Sequence, residues 1–364
     1  MSFMDAKSVI DYLVGFWKSH PASSKNPQTY ISFYGGEPLL NFTLIKQVVE
    51  YVESIDIKRS FQFSMTSNCI LLKRYMDFLV EHNFKLLCSL DGDKKSDAYR
   101  INKIGSPSYD IVYGNIKLLQ EKHPSYFHNN VSFNAVLHNL NNVHDICLFF
   151  KKEFGKIPML SALNTVGIKE EKKTEFERMF NNLYDEMHLP ENKELLINDL
   201  AFSDPGALNE WFYIEKELEN TFTSYLELFN SDDDYYRCPT GTCIPFMKKM
   251  FVKVDGKILQ CERIPHYYSL GNVNDSIVHL DVNEICQYIN NLYDSIQDSC
   301  SACGLKKDCT MCMFNIMDME KGSPKCDEYM HPSNRRLYKL SRRSYFFEHP
   351  EMYRKLLEEF YFKR

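Results

Sequence analysis

Cys300-Ser301-Ala302-Cys303-Gly304-Leu305-Lys306-Lys307-Asp308-Cys309-Thr310-Met311-Cys312 packs four thiols into one short stretch. Outward from it, Cys326 follows and Cys238, Cys243 and Cys261 precede, so the spacing reads C-x4-C-x17-C and then C-x2-C-x5-C-x2-C-x13-C. Eight cysteines make two sets of four thiolates, the number that holds one 4Fe-4S cluster or one tetrahedral zinc. This end of the chain is expected to fold around metal, as a small cysteine-rich domain.

The 364 residues suffice for one large domain and a smaller one, or for two of similar size. No run of about 18 apolar residues occurs, and Met1 to His20 carries Asp5, Lys7 and Asp11 among its apolar positions, unlike a signal peptide. The chain is therefore expected in the cytoplasm, with no membrane partner. There its twelve cysteines serve as metal ligands or core residues rather than disulfides. A formal charge of -6 offers no electrostatic reason to bind nucleic acid. Arg335, Arg336, Lys339, Arg342 and Arg343 form a basic stretch, but Glu348, Glu351, Glu358 and Glu359 follow at once, which reads as a solvated amphipathic helix.

From residue 6 to about 168 helical periodicity alternates with short apolar strands, the signature of βα units and a parallel sheet. Ile10, Leu13, Val14 and Trp17 recur at helical spacing, and Tyr30 to Tyr34 reads as a buried strand. Asn41 is an expected N-cap for a helix whose apolar face is Leu44, Ile45, Val48, Val49 and Val52. Further strands are expected at Phe61 to Met65, Lys85 to Leu90, Val131 to Leu137 and, more weakly, Pro158 to Asn164. Helices are expected through Tyr75, Phe78 and Leu79, over Tyr109 to Leu119, and over Val143 to Phe154. The first element is a helix where a βα barrel or doubly wound sheet opens on a strand, so the first βα unit is expected to be missing. Residues 169 to 200 read as charged and loop-prone, Leu208 to Phe229 as a helix, and Ser231 to Asp234 as a linker. Asp255-Gly256 between Phe251 to Val254 and Lys257 to Leu259 predicts a hairpin with a primed two-residue turn, which brings Cys261 back toward Cys243.

Tyr34-Gly35-Gly36-Glu37-Pro38 lies between a strand and a helix, at the carboxyl end of the sheet where α/β proteins keep their ligands. Two glycines let backbone groups approach a ligand, and Glu37 offers an acceptor for an amine. Thr66-Ser67-Asn68 ends the next strand and Ser89-Leu90-Asp91-Gly92 the one after, with Arg100 beyond, a residue suited to a carboxylate. Three successive polar strand tips argue for one shared ligand.

With the cysteine array, these motifs resemble the radical S-adenosylmethionine enzymes that carry a C-terminal SPASM domain, a family of peptide maturases and anaerobic sulfatase-maturating enzymes. The resemblance implies a partial (βα)6-type barrel missing its first βα unit, plus a small SPASM domain. It divides the chain into a truncated barrel (1–168), a helical and charged connector (169–234), the SPASM domain (235–330) and a C-terminal helical tail (331–364). Gly35, Gly36, Glu37 and Pro38 would match the motif that binds the methionine amino group. Ser67, Asn68 and Ser89 would lie near ribose and carboxylate, and Ser96-Asp97-Ala98-Tyr99-Arg100 looks like the family's His-Asp-x-x-Arg. Ligation would interleave: Cys238, Cys243, Cys261 and Cys312 around auxiliary cluster I, and Cys300, Cys303, Cys309 and Cys326 around auxiliary cluster II.

The sequence departs from the family at three places: Cys309-x2-Cys312 is one residue short of C-x3-C, Cys69 stands where glycine follows Asn, and no C-x3-C-x2-C occurs. That triplet holds the family's catalytic cluster. The implied activity is oxidative modification of a peptide or protein using S-adenosylmethionine and two auxiliary 4Fe-4S clusters, fed by a reductant protein such as a flavodoxin or ferredoxin. The alternatives are a catalytically incomplete cluster scaffold that binds peptide or transfers electrons, and a zinc-loaded structural protein. Glu262, next to Cys261, is either a general base or an exposed hairpin carboxylate. Cys88, Cys147 and Cys286 are expected in the core, and His266 and His331 at the surface or behind the ligands.

Overall fold

The computed structural model describes residues 1–19, 28–102, 104–163, 168–200, 211, 239, 241–306 and 308–358. The expected helix at 208–229, the linker at 231–234, Asn164 and Cys238 lie outside these residues. Contacts group the chain into two units, Val14–Gly206 and Met1–Leu13 with Ala207–Arg364.

In the first unit, strands β1 (Gln28–Phe33), β2 (Ser60–Ser67), β3 (Lys85–Ser89), β4 (Val131–Val136) and β5 (Met159–Ser161) form one sheet in the order β1-β2-β3-β4-β5. Every pairing is parallel. An unreversed order means each crossover moves one strand onward in the same sense, the winding of a barrel rather than of a doubly wound sheet. The intervening helices include α2 (Phe42–Glu53), α3 (Leu72–Glu81), α4 (Tyr109–Lys122), α5 (Pro124–Asn130) and α6 (Val143–Phe154), after α1 (Phe3–Ser19) opens the chain. Asn41 caps α2 as expected, its Oδ1 accepting from Leu44 N at 3.4 Å.

Side chains alternate across the strands. Phe63, Met65, Leu86, Cys88, Val131, Phe133 and Ala135 are buried on one face, with the helices' apolar stripes such as Ile45, Val48, Val49, Val52, Ile146 and Phe150 also buried. The other face carries Ser32, Ser64, Thr66, Ser89, Asn134 and Ser161, none of them buried. Hydrogen bonds run along that open face, Ser32 Oγ to Ser64 Oγ at 2.6 Å and Ser161 Oγ to Asn134 Oδ1 at 2.7 Å.

Four expectations change. β1 is not a buried strand: among the described residues it pairs only with β2, and Tyr30 is 58% exposed, because an edge strand lacks one neighbour to cover it. Residues 170–200 are not loop but short helical turns, α7 (Lys173–Met179), α8 (Leu183–Met187) and α9 (Lys193–Leu195), the last running into a wider turn at Leu196–Leu200. Met187, Leu196 and Leu200 are buried, so a few apolar anchors hold what the charge run disguised. Cys286 is exposed rather than core, since helix α10 (Val282–Ser301) buries Ile285, Ile289 and Ile296 and turns position 286 outward.

The hairpin at 251–259 is the fourth. In the second unit β6 (Phe251–Val252), β7 (Lys257–Leu259), β8 (Gly271–Asn274) and β9 (Ile277–His279) form an antiparallel meander. Lys253 N donates to Lys257 O and Gly256 N to Lys253 O, so the turn has three loop residues with Gly256 alone at φ +85°. A two-residue type I′ turn requires positive φ at both central residues and type II′ at the first, and Asp255 does not adopt it. That turn instead joins β8 to β9, where Asp275 and Ser276 have φ of 48° and 62°. Two further helices, α11 (Arg335–Glu348) and α12 (Pro350–Leu357), follow the cysteines. Arg335 pairs with buried Asp308, which fastens the start of α11 to the Cys309 loop. Among the described residues no helix is long and apolar enough to cross a membrane.

Candidate active site

Glu37 organises the first strand tip. Its Oε1 accepts from Leu39 N at 3.0 Å, capping the turn Pro38–Asn41, and from Ser67 Oγ at 3.0 Å; its Oε2 accepts from Asn68 N at 2.7 Å. A carboxylate has about four lone-pair sites, so these bonds leave room for one more donor on Oε2. Gly35 and Gly36 face open space beside it. Gly35, Gly36, Glu37, Pro38, Ser67 and Asn68 thus share one cradle.

Behind the cradle the turn after β2 is tied down. Cys69 N donates to Ser67 Oγ at 3.0 Å, and Asn115 Nδ2 donates to the carbonyls of Cys69 and Ile70, both at 3.0 Å. Cys69 has φ +60°, a left-handed conformation that costs a side-chain-bearing residue more than glycine, and it is fully buried. A hydrogen bond with Cys88 and burial raise its thiol well above the usual range. Asn115 was not anticipated. Its signal is a lone amide on the buried stripe Val112, Ile116 and Leu119 of α4, where only a backbone partner justifies a polar group.

Ser89 lies half-buried at the β3 tip, in register with Asn134. Arg100 stands in a separate cluster with two carboxylates. Its Nη2 donates to Asp91 Oδ1 at 2.6 Å, and its Nε lies 3.5 Å from Asp97 Oδ1. Asp91 N donates to Asp97 Oδ1 and Val136 N to Asp91 Oδ1, so both acids are built into the ends of β3 and β4. Asp97 is fully buried, and among the described residues its Oδ2 has no hydrogen-bond partner. Burial pushes its pKa up to about 7, helped by the Asp91 charge and opposed by the Asp91 backbone bond and Arg100. Sequence reasoning quoted both acids but gave neither a role.

In the second unit the cysteines sort into two neighbourhoods. Burial raises the Cys312 thiol, and the charges of Cys243 and Cys261 add to it. Burial likewise raises Cys326, with Cys309 and Cys303 adding to it. Cys300, Cys261, Cys312 and Cys326 all pack against one core that includes Tyr268, Ile289, Met313 and Phe314. Backbone N–H groups already point at sulfur: Arg263 N to Cys261 Sγ at 3.3 Å, and Leu305 N and Met330 N to Cys303 Sγ, both at 3.4 Å. Such bonds suit thiolate, the form that binds iron. Gly241 allows the 239–243 loop to reach the 309–312 loop, since a Cβ there would sit 1.8 Å from Thr310 O. Among the described residues no three His, Cys, Asp or Glu side chains gather closely enough to hold a single metal ion. The thiols of the two neighbourhoods are the donor type that an iron-sulfur cluster or a zinc ion takes.

Glu262 is paired rather than free. Lys249 Nζ donates to Oε1 at 2.9 Å and to Oε2 at 2.7 Å. Burial alone would raise its carboxyl, but the Lys249 bonds and charge, with smaller help from its own backbone and Cys261, hold it below the usual range.

No family model matches the sequence. The chain is 22% identical over 314 residues to the radical SAM cyclopropyl synthase TigE of Paramaledivibacter caminithermalis, covering 84% of this chain and 60% of that protein. Over 107 residues it is 30% identical to a serine-type anaerobic sulfatase-maturating enzyme of Bacteroides thetaiotaomicron, covering 27% of this chain and 25% of that one. The chain thus spans only part of the length of these curated relatives. Among solved structures, native anSMEcpe with bound AdoMet and Kp18Cys peptide superposes with a TM-score of 0.54 at 18% identity, covering 91% of this chain and 86% of that one. The same protein with bound AdoMet alone gives 0.54 at 17%, covering 92% and 85%. With an all-parallel five-stranded sheet and a cysteine-rich C-terminal region, the chain shares the fold of these solved structures and is similar in sequence to the radical SAM proteins named above.

Proposed function

We propose that the chain is a radical S-adenosylmethionine peptide or protein maturase that performs an oxidative modification with two auxiliary 4Fe-4S clusters. The sorting of the cysteines carries this reading: Cys312 with Cys243 and Cys261, and Cys326 with Cys303 and Cys309. It agrees with the interleaved sets, in which Cys238 completes the first and Cys300 the second. On the same reading residues 1–168 form the partial barrel, 169–234 the connector, 235–330 the SPASM domain and 331–364 the tail.

S-Adenosylmethionine, if bound and given one electron by a cluster for which these 364 residues hold no C-x3-C-x2-C, would supply a radical able to remove a substrate hydrogen. The chain's own groups bind and orient. Glu37 Oε2 accepts the ammonium of the cofactor's methionine, and Gly35, Gly36 and Pro38 shape the loop around it. Ser67, Asn68 and Ser89 line ribose and carboxylate, and Arg100 lends positive charge to the carboxylate while Asp91 and Asp97 hold its guanidinium. Glu262 accepts a substrate proton only after Lys249 moves aside. The substrate is a peptide, in keeping with the peptide-bound relative, and the electron source a cytoplasmic flavodoxin or ferredoxin.

A second reading, a cluster scaffold that binds the cofactor or peptide without turnover, follows from the lack of any C-x3-C-x2-C in the 364 residues. Anaerobic reconstitution followed by iron, sulfide and zinc analysis tests the proposal. About eight irons per chain with negligible zinc supports it, and a colourless, zinc-loaded protein overturns it. Reduction with S-adenosylmethionine present then separates the two cluster readings, since cleavage favours the maturase and binding without cleavage the scaffold.

A further inference from the structure

A cleft of about 380 Å³ opens in the sheet unit, lined by Asn142, His144, Asp145, Glu186, Glu191 and Asn192. It is built from the start of α6, which follows the carboxyl end of β4, and from the turns around α8 and Pro190–Asn192. Its lining is dominated by acceptors. Among the described residues no Lys or Arg pairs with Asp145, Glu186 or Glu191; Asn142 Nδ2 donates to Asp145 Oδ2 at 2.7 Å, and Asn181 Nδ2 to Glu186 Oε2 at 3.4 Å. The nearby cation Lys151 is held elsewhere, 2.6 Å from Asp199.

A second observation is independent of these carboxylates. Asn192 is 1% exposed and lines the cleft; its Nδ2 donates to Glu186 O at 2.8 Å, while among the described residues its Oδ1 has no hydrogen-bond partner. A buried carbonyl oxygen without a donor is costly, and Asn192 lines the same cleft as three carboxylates. The positive end of α6 offsets only about half a charge, so the cleft remains strongly negative. Among the described residues no three His, Cys, Asp or Glu side chains gather to hold a single ion, and the cleft has room for a whole long side chain.

We propose that this cleft receives a cationic side chain, lysine or arginine, of the peptide on which the enzyme acts. The role as a substrate subsite rests on the maturase reading; the binding chemistry does not. Position favours it, because α6 starts at the same carboxyl edge of the sheet as the strand-tip residues, so a peptide crossing that edge passes the cleft.

The test uses the full, anaerobically reconstituted chain and ligand-observed NMR. The probes are N-acetyl-lysine and N-acetyl-arginine methylamides, their neutral norleucine and citrulline counterparts, and calcium chloride. The cationic probes are expected to half-saturate at about tenfold lower concentration than the neutral ones. Added salt should weaken that preference, and the double variant Glu186→Gln with Glu191→Gln should abolish it. Both substitutions keep the side-chain shape and one acceptor oxygen each while removing the charge, and circular dichroism confirms folding. Equal binding of charged and neutral probes, a preference untouched by the double variant, or calcium binding that excludes the cationic probes would each overturn the proposal. Discrimination by a chain that binds no S-adenosylmethionine supports the cleft and overturns only the maturase reading.

Discussion

Beneath the sheet, Phe127, Phe133, Phe150 and Phe154 stack ring against ring, with centroids 4.7 Å apart for Phe133 and Phe154, and all four are buried. Around the cysteines the apolar core is a smaller cluster on which Cys261, Cys300, Cys312 and Cys326 sit only half-covered, and backbone N–H groups meet the sulfurs of Cys261 and Cys303. The sheet unit closes its polar accounts internally, with Glu37, Ser67, Asn68 and Asn115 each bonded within it. The sheet unit is held by hydrophobic burial; on the maturase reading, the cysteine region is held in part by ligation.

Stripping the metal should therefore separate the two units most sharply. Cluster ligation is expected to contribute on the order of 10 kcal/mol to folding of the cysteine region, as structural zinc does in small metal domains. Hydrogen exchange followed by mass spectrometry should show protection of 241–331 collapsing in the apo chain while β2 to β4 stay protected. Unchanged protection of 241–331 would break the comparison. Paired substitutions sharpen it. Cys243→Ala and Cys312→Ala should each cost about four irons, and together no more, whereas Cys312→Ala with Cys326→Ala should cost about eight.

Phe150→Ala reverses the test. It removes a fully buried ring from the aromatic stack and should destabilise the sheet unit by about 3–5 kcal/mol, read by urea unfolding, with no change in iron content. Loss of iron in this variant would mean that the two units do not fold by separate means.

Much of this division is legible in residue order. Periodicity located five strands and most of their helices, since parallel strands buried against helices read as short apolar runs. It overstated the burial of β1, because a strand's composition does not reveal whether a neighbour covers both sides. It passed over α7 to α9, where propensity is weak and only Met187, Leu196 and Leu200 anchor the turns. In the site, the Gly-Gly-Glu-Pro loop and the cysteine spacing stood out because each is local. Arg100 was legible as a residue but not as one shared by Asp91 and Asp97, and the cleft residues 142–145 and 186–192 meet only through tertiary folding.

Burial of Asp97 beside Asp91 gives the sheet unit a pH dependence that Arg100 only partly offsets. Asp97 has its pKa raised from 3.8 to about 7. Below pH 4 it is protonated folded or unfolded and contributes nothing. Between about pH 4 and 7 the unfolded chain ionises first, so stability falls as pH rises, levelling above 7. The full drop is at most about 4 kcal/mol. Asp97→Asn should flatten that slope in unfolding curves taken from pH 4.5 to 7.5. An unchanged slope would mean that Asp97 ionises in the fold and pairs with Arg100 as an ordinary ion pair.

The smallest effect expected lies in the two hairpins of the cysteine region, which look alike in sequence and differ in backbone. Gly256 takes its positive φ at no steric cost, and a Cβ there would sit 2.1 Å from Val273 O, so this turn has no gain left to make. Ser276 takes φ +62° with a side chain, and its N–H donates to Asp5 Oδ1 at 3.2 Å. Ser276→Gly keeps that N–H and relieves the left-handed strain of roughly 1 kcal/mol, against a glycine entropy cost of similar size in the unfolded chain. The net change should be a few tenths of a kcal/mol, favourable and visible as slightly stronger protection of 271–279 in the apo chain. Because ligation dominates the folded energy of this region, the same variant should be silent once iron is bound. A gain of equal size in the holo protein would show that local backbone preference, and not the metal, limits how firmly the meander is held.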